Sequence, residues 1–394
     1  MSAKVVKAAG QDVAPVSPAL GALAKASYSL FLEAAAGTGA SKGTFLSPMS
    51  IVYALTLALN GAGPKTPTHS ELLSVIAGGA ENAAALGEAD LNSELGRTMT
   101  LLHEAGAGEA EGSASRMVLA NSVWTHRGTT LKKEYVDAMH SLFDATAREA
   151  VNGAKDVNAW VEGVTKGMIK DLVQTDQWDA ILANAIYFKG FWTHAFKKED
   201  TFPGAFTTGA KASKEVQFMC KNFEPQDRIA AVRKEGLYDA VALPYKGDVF
   251  SAIALLPAEG VALEAALKDW GSGPQKLRPV GKCFVKLPKF KVESQLSLKT
   301  VLHKMGVKEA FGGCADFSRL SSHKMFVDDV VHKAVVEVDE EGTVAAAATA
   351  VMMLRCALPM PAPEFIFNRP FAFIIMHSPT GLPAFVGTVN DPSL

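Results

Sequence analysis

Residues 339–363 read Asp339-Glu-Glu-Gly-Thr-Val-Ala-Ala-Ala-Ala-Thr-Ala-Val-Met-Met-Leu-Arg-Cys-Ala-Leu-Pro-Met-Pro-Ala-Pro363, and they do not behave like a core element. One reading is a buried alanine-rich helix. Ala has the highest helix propensity, and Glu340 and Glu341 would suit a helix N-terminus. Three features oppose it. Gly342 interrupts where the helix would begin. Thr343, Val344, Thr349 and Val351 break the alanine run. Pro359, Pro361 and Pro363 impose an extended exit. Upstream, Phe326 to Asp339 reads as a strand that ends Val335-Val-Glu-Val338. The second reading is therefore a strand that turns into a stretch of small residues. Small side chains on both faces suit a segment that slides between two existing strands. Local chemistry leaves both readings open.

Working outward, the N-terminal two-fifths reads as helical. Ser47-Pro48 is a helix start, since Ser caps and Pro suits the first helical position. It opens Met49 to Leu59, apolar on nearly every side, the pattern of a helix buried all round. Asn60-Gly61 ends it. Thr68-His-Ser-Glu71 has the form of a capping box. Residues 84–104 look amphipathic and helical, and 106–115 is a small acidic loop. Strand signals follow at 117–124, 180–188, 238–243, 250–256, 283–287 and 325–331, with more after Pro363. Helical stretches fall between them at 131–143, 156–172, 260–270 and 294–304. Helices first and strands later, with no linker and no repeat, predict an α+β fold in one domain.

The chain has 394 residues, 48% hydrophobic and 20% charged, with a formal net charge of −2. That is globular composition with no block of like charges, so no nucleic acid or anionic membrane is expected as a partner. Lys132-Lys133 and Lys197-Lys198 read as solvated faces. The N-terminus lacks the apolar region of a secretory signal, and no apolar run approaches the ~20 residues of a membrane span. Cys220, Cys283, Cys314 and Cys356 form no C-x-x-C, and there is no Asn-x-Ser/Thr. These features favour a reducing, cytoplasmic compartment; release to the outside by another route stays open.

Motifs of ordinary catalysis are missing. There is no H-E-x-x-H, no G-x-S-x-G and no Walker A sequence. Gly37-Thr-Gly-Ala-Ser-Lys-Gly43 fits neither glycine-rich phosphate spacing and reads as a loop. The nine histidines are scattered singly. An enzyme reading has no residues to rest on.

Six blocks in order resemble those of the serpin family. They are the hinge Glu340-Glu341-Gly342-Thr343-Val344-Ala345-Ala346-Ala347-Ala348-Thr349, the helix start Phe45-Leu-Ser-Pro-Met-Ser-Ile51, and the strand Ala183-Asn-Ala-Ile-Tyr-Phe-Lys-Gly-Phe-Trp192. The others are Val331-His-Lys-Ala334, Phe367-Asn-Arg-Pro-Phe371 and Phe385-Val-Gly-Thr-Val389. The resemblance implies three β-sheets and about nine helices in one domain, 19–394; residues 1–18, irregular and carrying Pro15 and Pro18, are expected to be disordered. It implies an exposed reactive loop at about 340–362, a metastable native state, no metal and no cofactor. A protease cleaves the loop, is held as an acyl-enzyme, and is dragged along as the hinge inserts into the main sheet.

Positions carry over one by one. Ser47, Ser50, Asn184 and His332 match the family's polar cluster beneath the opening sheet. Lys289 and Glu340 match a charge pair at its top, and Trp192 the aromatic there. The bait is Arg355, with Arg355–Cys356 as the reactive bond, on the match of Met352-Met-Leu-Arg-Cys-Ala357 to intracellular or plant-like members. Counting fifteen positions from Gly342 gives the alternative, Cys356–Ala357. Departures are Val344 in place of an acidic residue, the small Ala372, and Arg97 as the only basic residue of 84–104, which argues against heparin. The expected partner is a trypsin-like serine protease, met by a monomer. The alternatives are papain-like or metacaspase-type cysteine proteases that accept Arg, or a non-inhibitory chaperone or storage role. Thr343 and Ala345 to Ala348 favour inhibition, because charged or bulky hinges mark the non-inhibitory members.

Overall fold

The computed structural model describes residues 17–37, 43–106, 115–273, 275–343 and 362–393. Ser47-Pro48 starts the helix that organises it. Helix α2 (Pro48–Gly61) follows α1 (Pro18–Ala36), and is buried from Pro48 to Leu59; Ser47 Oγ accepts the Ser50 N–H at 3.2 Å as its cap. The other described helices are α3 (Pro67–Ile76), α4 (Ala80–Ala85), α5 (Glu88–Gly106), α6 (Lys133–Phe143), α7 (Ala154–Val164), α8 (Leu263–Trp270) and α9 (Lys299–Lys304). None is long and apolar enough to cross a membrane.

The chain forms three sheets, two of which pack on α2. The seven-stranded sheet runs β1 (Phe45–Leu46), β17 (Leu382–Val389), β16 (Phe371–His377), β9 (Phe250–Pro257), β8 (Tyr238–Pro244), β7 (Ala230–Lys234), β10 (Arg278–Pro279). A four-stranded sheet runs β15 (Glu364–Ile366), β11 (Cys283–Pro288), β6 (Ser213–Phe223), β5 (Thr201–Thr207). The third runs β12 (Phe290–Ser297), β13 (Asp329–Val338), β4 (Ala180–Phe191), β2 (Arg116–His126), β3 (Thr146–Ala150), with β14 (Gly342–Thr343) added at the top of β4.

Strand β4 is buried on both faces, and its period of two sorts side chains between two cores. Leu182, Ile186 and Phe188 join the main core with α2 and the seven-stranded sheet. Ile181, Ala183 and Ala185 face a second cluster with Trp124, Val157, Val161 and Trp178, beneath α7.

The fold class, three sheets and nine described helices match expectation. Several local boundaries do not. Helix α3 begins at Pro67, capped by Thr66 Oγ on the His69 N–H, so there is no capping box at Thr68. Thr68 Oγ1 instead accepts the Asp316 N–H, and Glu71 accepts the Lys308 and Glu309 N–H groups. The stretch 84–104 is two helices. Residues 294–297 are strand, because β12 pairs with β13 along Ser294-Gln-Leu-Ser297; tertiary pairing overrides helix propensity here. The expected strand at 325–331 begins only at Asp329. Helix α7 stops at Val164, where Lys166 and Gly167 both take positive φ (51° and 80°). The first helix already includes Pro18, with Ser17 as its cap.

Candidate functional site

Strands β13 and β4 run parallel, from Asp329 opposite Ile181 to Val335 opposite Tyr187. They are flanked by antiparallel pairs on both sides, β12 with β13 and β4 with β2. Only a strand between two parallel neighbours can run antiparallel to both, so this seam can accept one more strand in the better-bonded direction. Strand β14 is the start of one. Gly342 lies opposite Phe191 and Thr343 opposite Gly190, antiparallel to β4.

The turn from β13 into β14 is fixed from several sides. Asp339 Oδ1 accepts the N–H groups of Glu341 (3.0 Å) and Gly342 (3.1 Å). Gly342 has φ 141°, and a Cβ there would lie 2.7 Å from Phe191 Cα, so this close approach requires glycine. Trp192 donates from its backbone to Glu341 O and from Nε1 to Asp339 O, both at 2.9 Å, and stacks on Tyr245 at 4.4 Å. Glu340 is only 4% exposed. Lys289 Nζ donates to one of its oxygens at 2.8 Å and Thr201 Oγ1 to the other at 2.9 Å. Burial alone would raise this carboxyl; those donors outweigh burial and hold it below the usual glutamate range.

Beneath the middle of the seam lies a buried polar cluster. His332 and Asn184 are direct neighbours across the parallel ladder. Ser47 N–H donates to His332 Nε2 at 3.1 Å, which leaves Nδ1 to carry the proton and donate to Asn184 Oδ1. The Asn184 amide donates to Ser50 O (2.9 Å), Ser50 Oγ and Asn121 Oδ1. Ser47 Oγ donates to Ala384 O at 2.6 Å, which ties the cluster to β17. Burial lowers the His332 pKa to about 3, so the ring is neutral at physiological pH.

The family model described as serpin (serine protease inhibitor) matches residues 22–392. The chain is a serpin. It is 32% identical over 373 residues to Iris of Ixodes ricinus, covering 90% of this chain and 94% of that protein. It is 31% identical over 390 residues to Serpin B6 of Macaca fascicularis, covering 94% and 98%. Among solved structures it is similar to the thermophilic serpin tengpin in the native state, with TM-score 0.83 at 25% identity, covering 97% of this chain and 96% of that one. Human thyroxine-binding globulin has the same fold, with TM-score 0.79 at 22% identity over 95% of this chain and 99% of that one. The family consists mostly of protease inhibitors, not enzymes.

The structure of this serpin brings Ser47, Ser50, Asn184 and His332 into one hydrogen-bonded cluster. It brings Trp192, Lys289 and Glu340 together at the top of the sheet. Val344 to Thr349, Arg355, Cys356 and Ala357 lie outside the described residues. Cys220, Cys283 and Cys314 are free thiols. Ala372 is fully buried in β16. Arg97 on α5 pairs with Glu94. Sequence reasoning missed Asn121, Thr201, Asp339 and Tyr245. Asn121 had a readable signal: Leu119-Ala-Asn-Ser-Val123 echoes Leu182-Ala-Asn-Ala-Ile186. The two asparagines sit directly opposite each other on β2 and β4. Thr201 opens β5 and Tyr245 directly follows β8, and neither carries a local mark.

Proposed function

We propose that this serpin inhibits serine endopeptidases as a suicide substrate, acting as a single-domain monomer in the cytoplasm, with Arg355 as bait. The observation that carries the reading is the antiparallel register of β14 on β4. Continued along the chain from Thr343 opposite Gly190, it puts Ala345 opposite Phe188, Ala347 opposite Ile186 and Thr349 opposite Asn184. Alanines therefore meet the two largest core-facing side chains of this stretch of β4, and no overpacking arises. Thr349 brings a hydroxyl to the level of the His332–Asn184 bond, which insertion must split. Val344 falls on the opposite face, where it meets no core.

Insertion replaces one parallel ladder by two antiparallel ones and satisfies the backbone of the arriving strand. A native state held short of that end point is kinetically stable only. Met353 falls opposite Ala180, the last residue of β4. Cleavage after Arg355 thus still leaves enough chain to span the seam. A protease carried to the far end needs its catalytic groups displaced by only ~1 Å to lose most deacylation. Arg offers trypsin-like pockets a fixed charge and a fork of donors.

Incubation with trypsin and other Arg-specific serine proteases, followed by a denaturing gel, tests this. A one-to-one covalent complex is expected, with a released C-terminal fragment that begins at Cys356. Cleaved loop without adduct across the panel would overturn inhibition. A fragment beginning at Ala357, released by a different target, would move the bait to Cys356.

A further inference from the structure

The chain holds two Asn-Gly pairs, Asn60-Gly61 and Asn152-Gly153, and the fold treats them differently. Asparagine before glycine is able to convert itself. The glycine nitrogen has no neighbouring Cβ in its way and reaches the asparagine Cγ wherever the backbone is free to turn. Asn60-Gly61 lacks that freedom. It closes α2, Gly61 is buried, and the Asn60 amide donates to Thr56 O (2.8 Å) and Asn92 Oδ1 (3.0 Å).

Asn152-Gly153 stands in the turn from β3 into α7, with Val151 and Asn152 both exposed. Glycine is obligatory here, because Gly153 has φ 61° and a Cβ on it would collide with Asp176. Its N–H donates over a long 3.4 Å, to Ala150 O. The Asn152 carboxamide donates to Asp156 Oδ1 at 3.0 Å, in a surface bond for which water competes. One pair is thus locked into a buried helix end, and the other sits in a loosely bonded surface turn.

We propose that Asn152 is a site of spontaneous modification, converting to isoaspartate and aspartate, and that the conversion loosens the first turn of α7. Gly153 N gives up its proton to solvent base and attacks Asn152 Cγ. The N–Cγ bond forms, the Cγ–Nδ2 bond breaks, and ammonia leaves. Water then opens the cyclic imide. Breaking the N–Cγ bond leaves aspartate. Breaking the bond from Gly153 N to the former main-chain carbonyl carbon leaves isoaspartate, with Cβ and Cγ now in the main chain. Nothing is oxidised or reduced.

Both products disturb the same contacts. Asn152 donates to Asp156 from its backbone N–H as well as its carboxamide, which holds that carboxyl below the usual aspartate range. Aspartate puts a second carboxylate where the amide donated. Isoaspartate also lengthens the backbone of a turn that aims the Ala154 N–H at Asp176 Oδ1, 2.6 Å away. The dipole of α7 favours negative charge at this end, but Asp156 and Asp176 already supply it, and a third carboxylate beside Asp156 is repelled. Val157 and Val161 lie on the same helix and cover Trp124 and Trp178, so a loosened first turn uncovers the second core.

The test ages the intact protein in mildly alkaline buffer and maps its peptides. In the folded protein Asn152 is expected to convert at least about tenfold faster than Asn60, whereas in urea the two should react within about threefold of each other. Hydrogen exchange at the amides of 155–161 should rise about fivefold in aged protein over fresh. An Asn152→Gln variant, aged alongside, should keep the exchange of its own fresh sample. A carboxamide at Asn152 that survives in the folded protein while reacting in urea, or equal conversion of both asparagines in the folded protein, would overturn the site. Converted Asn152 with unchanged exchange, or an equal rise in the Asn152→Gln variant, would overturn the loosening of α7.

Discussion

Two central strand pairs pack against α2, and they differ in what they can do. Strands β16 and β17 run antiparallel, every residue of β17 is buried, and β9 and β1 cover the outer edges of the pair. Strands β13 and β4 run parallel, and their side chains meet in mid-seam through the His332–Asn184 hydrogen bond. Separating the first pair would expose apolar surface that no other segment can cover. Separating the second exposes polar groups and a ladder whose direction suits a new strand. On the proposed mechanism, the place where a sheet opens is set by strand direction and by polar groups that can change partners, more than by how deeply it is buried.

The largest expected effect comes from cutting the loop. If the seam is an unfinished sheet, loop-cleaved protein should melt about 10 °C or more above intact protein, as read by calorimetry. Equal melting temperatures would erase the distinction between the two pairs. Next is Thr343→Arg, which puts an unpaired charge on the core-facing side of the arriving strand. The ratio of covalent complex to cleaved inhibitor should fall by at least about tenfold, and a ratio that stays at the wild-type value would mean that Thr343 does not enter early.

The other pair should answer in the opposite way. Ile374→Ala in β16, a fully buried site, should cost about 2–5 kcal/mol in denaturant unfolding while leaving that ratio within about twofold of wild type. A large change in the ratio would show that the two pairs are not independent. The smallest effect is a pH slope. The His332 pKa is near 6.5 unfolded and about 3 folded. Between those values the unfolded chain binds a proton that the folded chain refuses, so stability falls as pH drops from about 6.5 towards 3. Denaturant midpoints at pH 7, 5 and 4 should show that loss, on the order of 1–3 kcal/mol, reduced in His332→Gln.

What could be read in advance follows the same divide. Ser47, Ser50, Asn184 and His332 lie on long, strongly patterned elements, and short motifs marked each of them. Gly342 was legible because only glycine fits its backbone. The seam itself was not, since nothing in Ile181 to Tyr187 or in Asp329 to Val335 states that these stretches run parallel. Register and direction come from the whole chain. Strand β12 was hidden because Ser294 and Ser297 dilute its alternation, and pairing with β13 supplies what propensity does not. Thr201 and Tyr245 reach the top of the sheet from the ends of β5 and β8, whose position only the assembled sheets determine.

The bond from Ser47 Oγ to Ala384 O spans 337 positions of sequence, and β1 pairs with β17 beside it. A ribosome working at about 5–20 residues per second delivers Ala384 roughly 20–70 s after Ser47. Throughout that interval α2, apolar on every side, has no β17 to lie against. Residues 343–355 also emerge before β16 and β17. If insertion completes the sheet as proposed, a nascent chain that closed the six-stranded sheet around them would reach that arrangement too soon. On the proposed mechanism, the last strands must arrive before the seam is tried, and any factor that shields α2 on the ribosome would protect the capacity for later insertion as well as solubility.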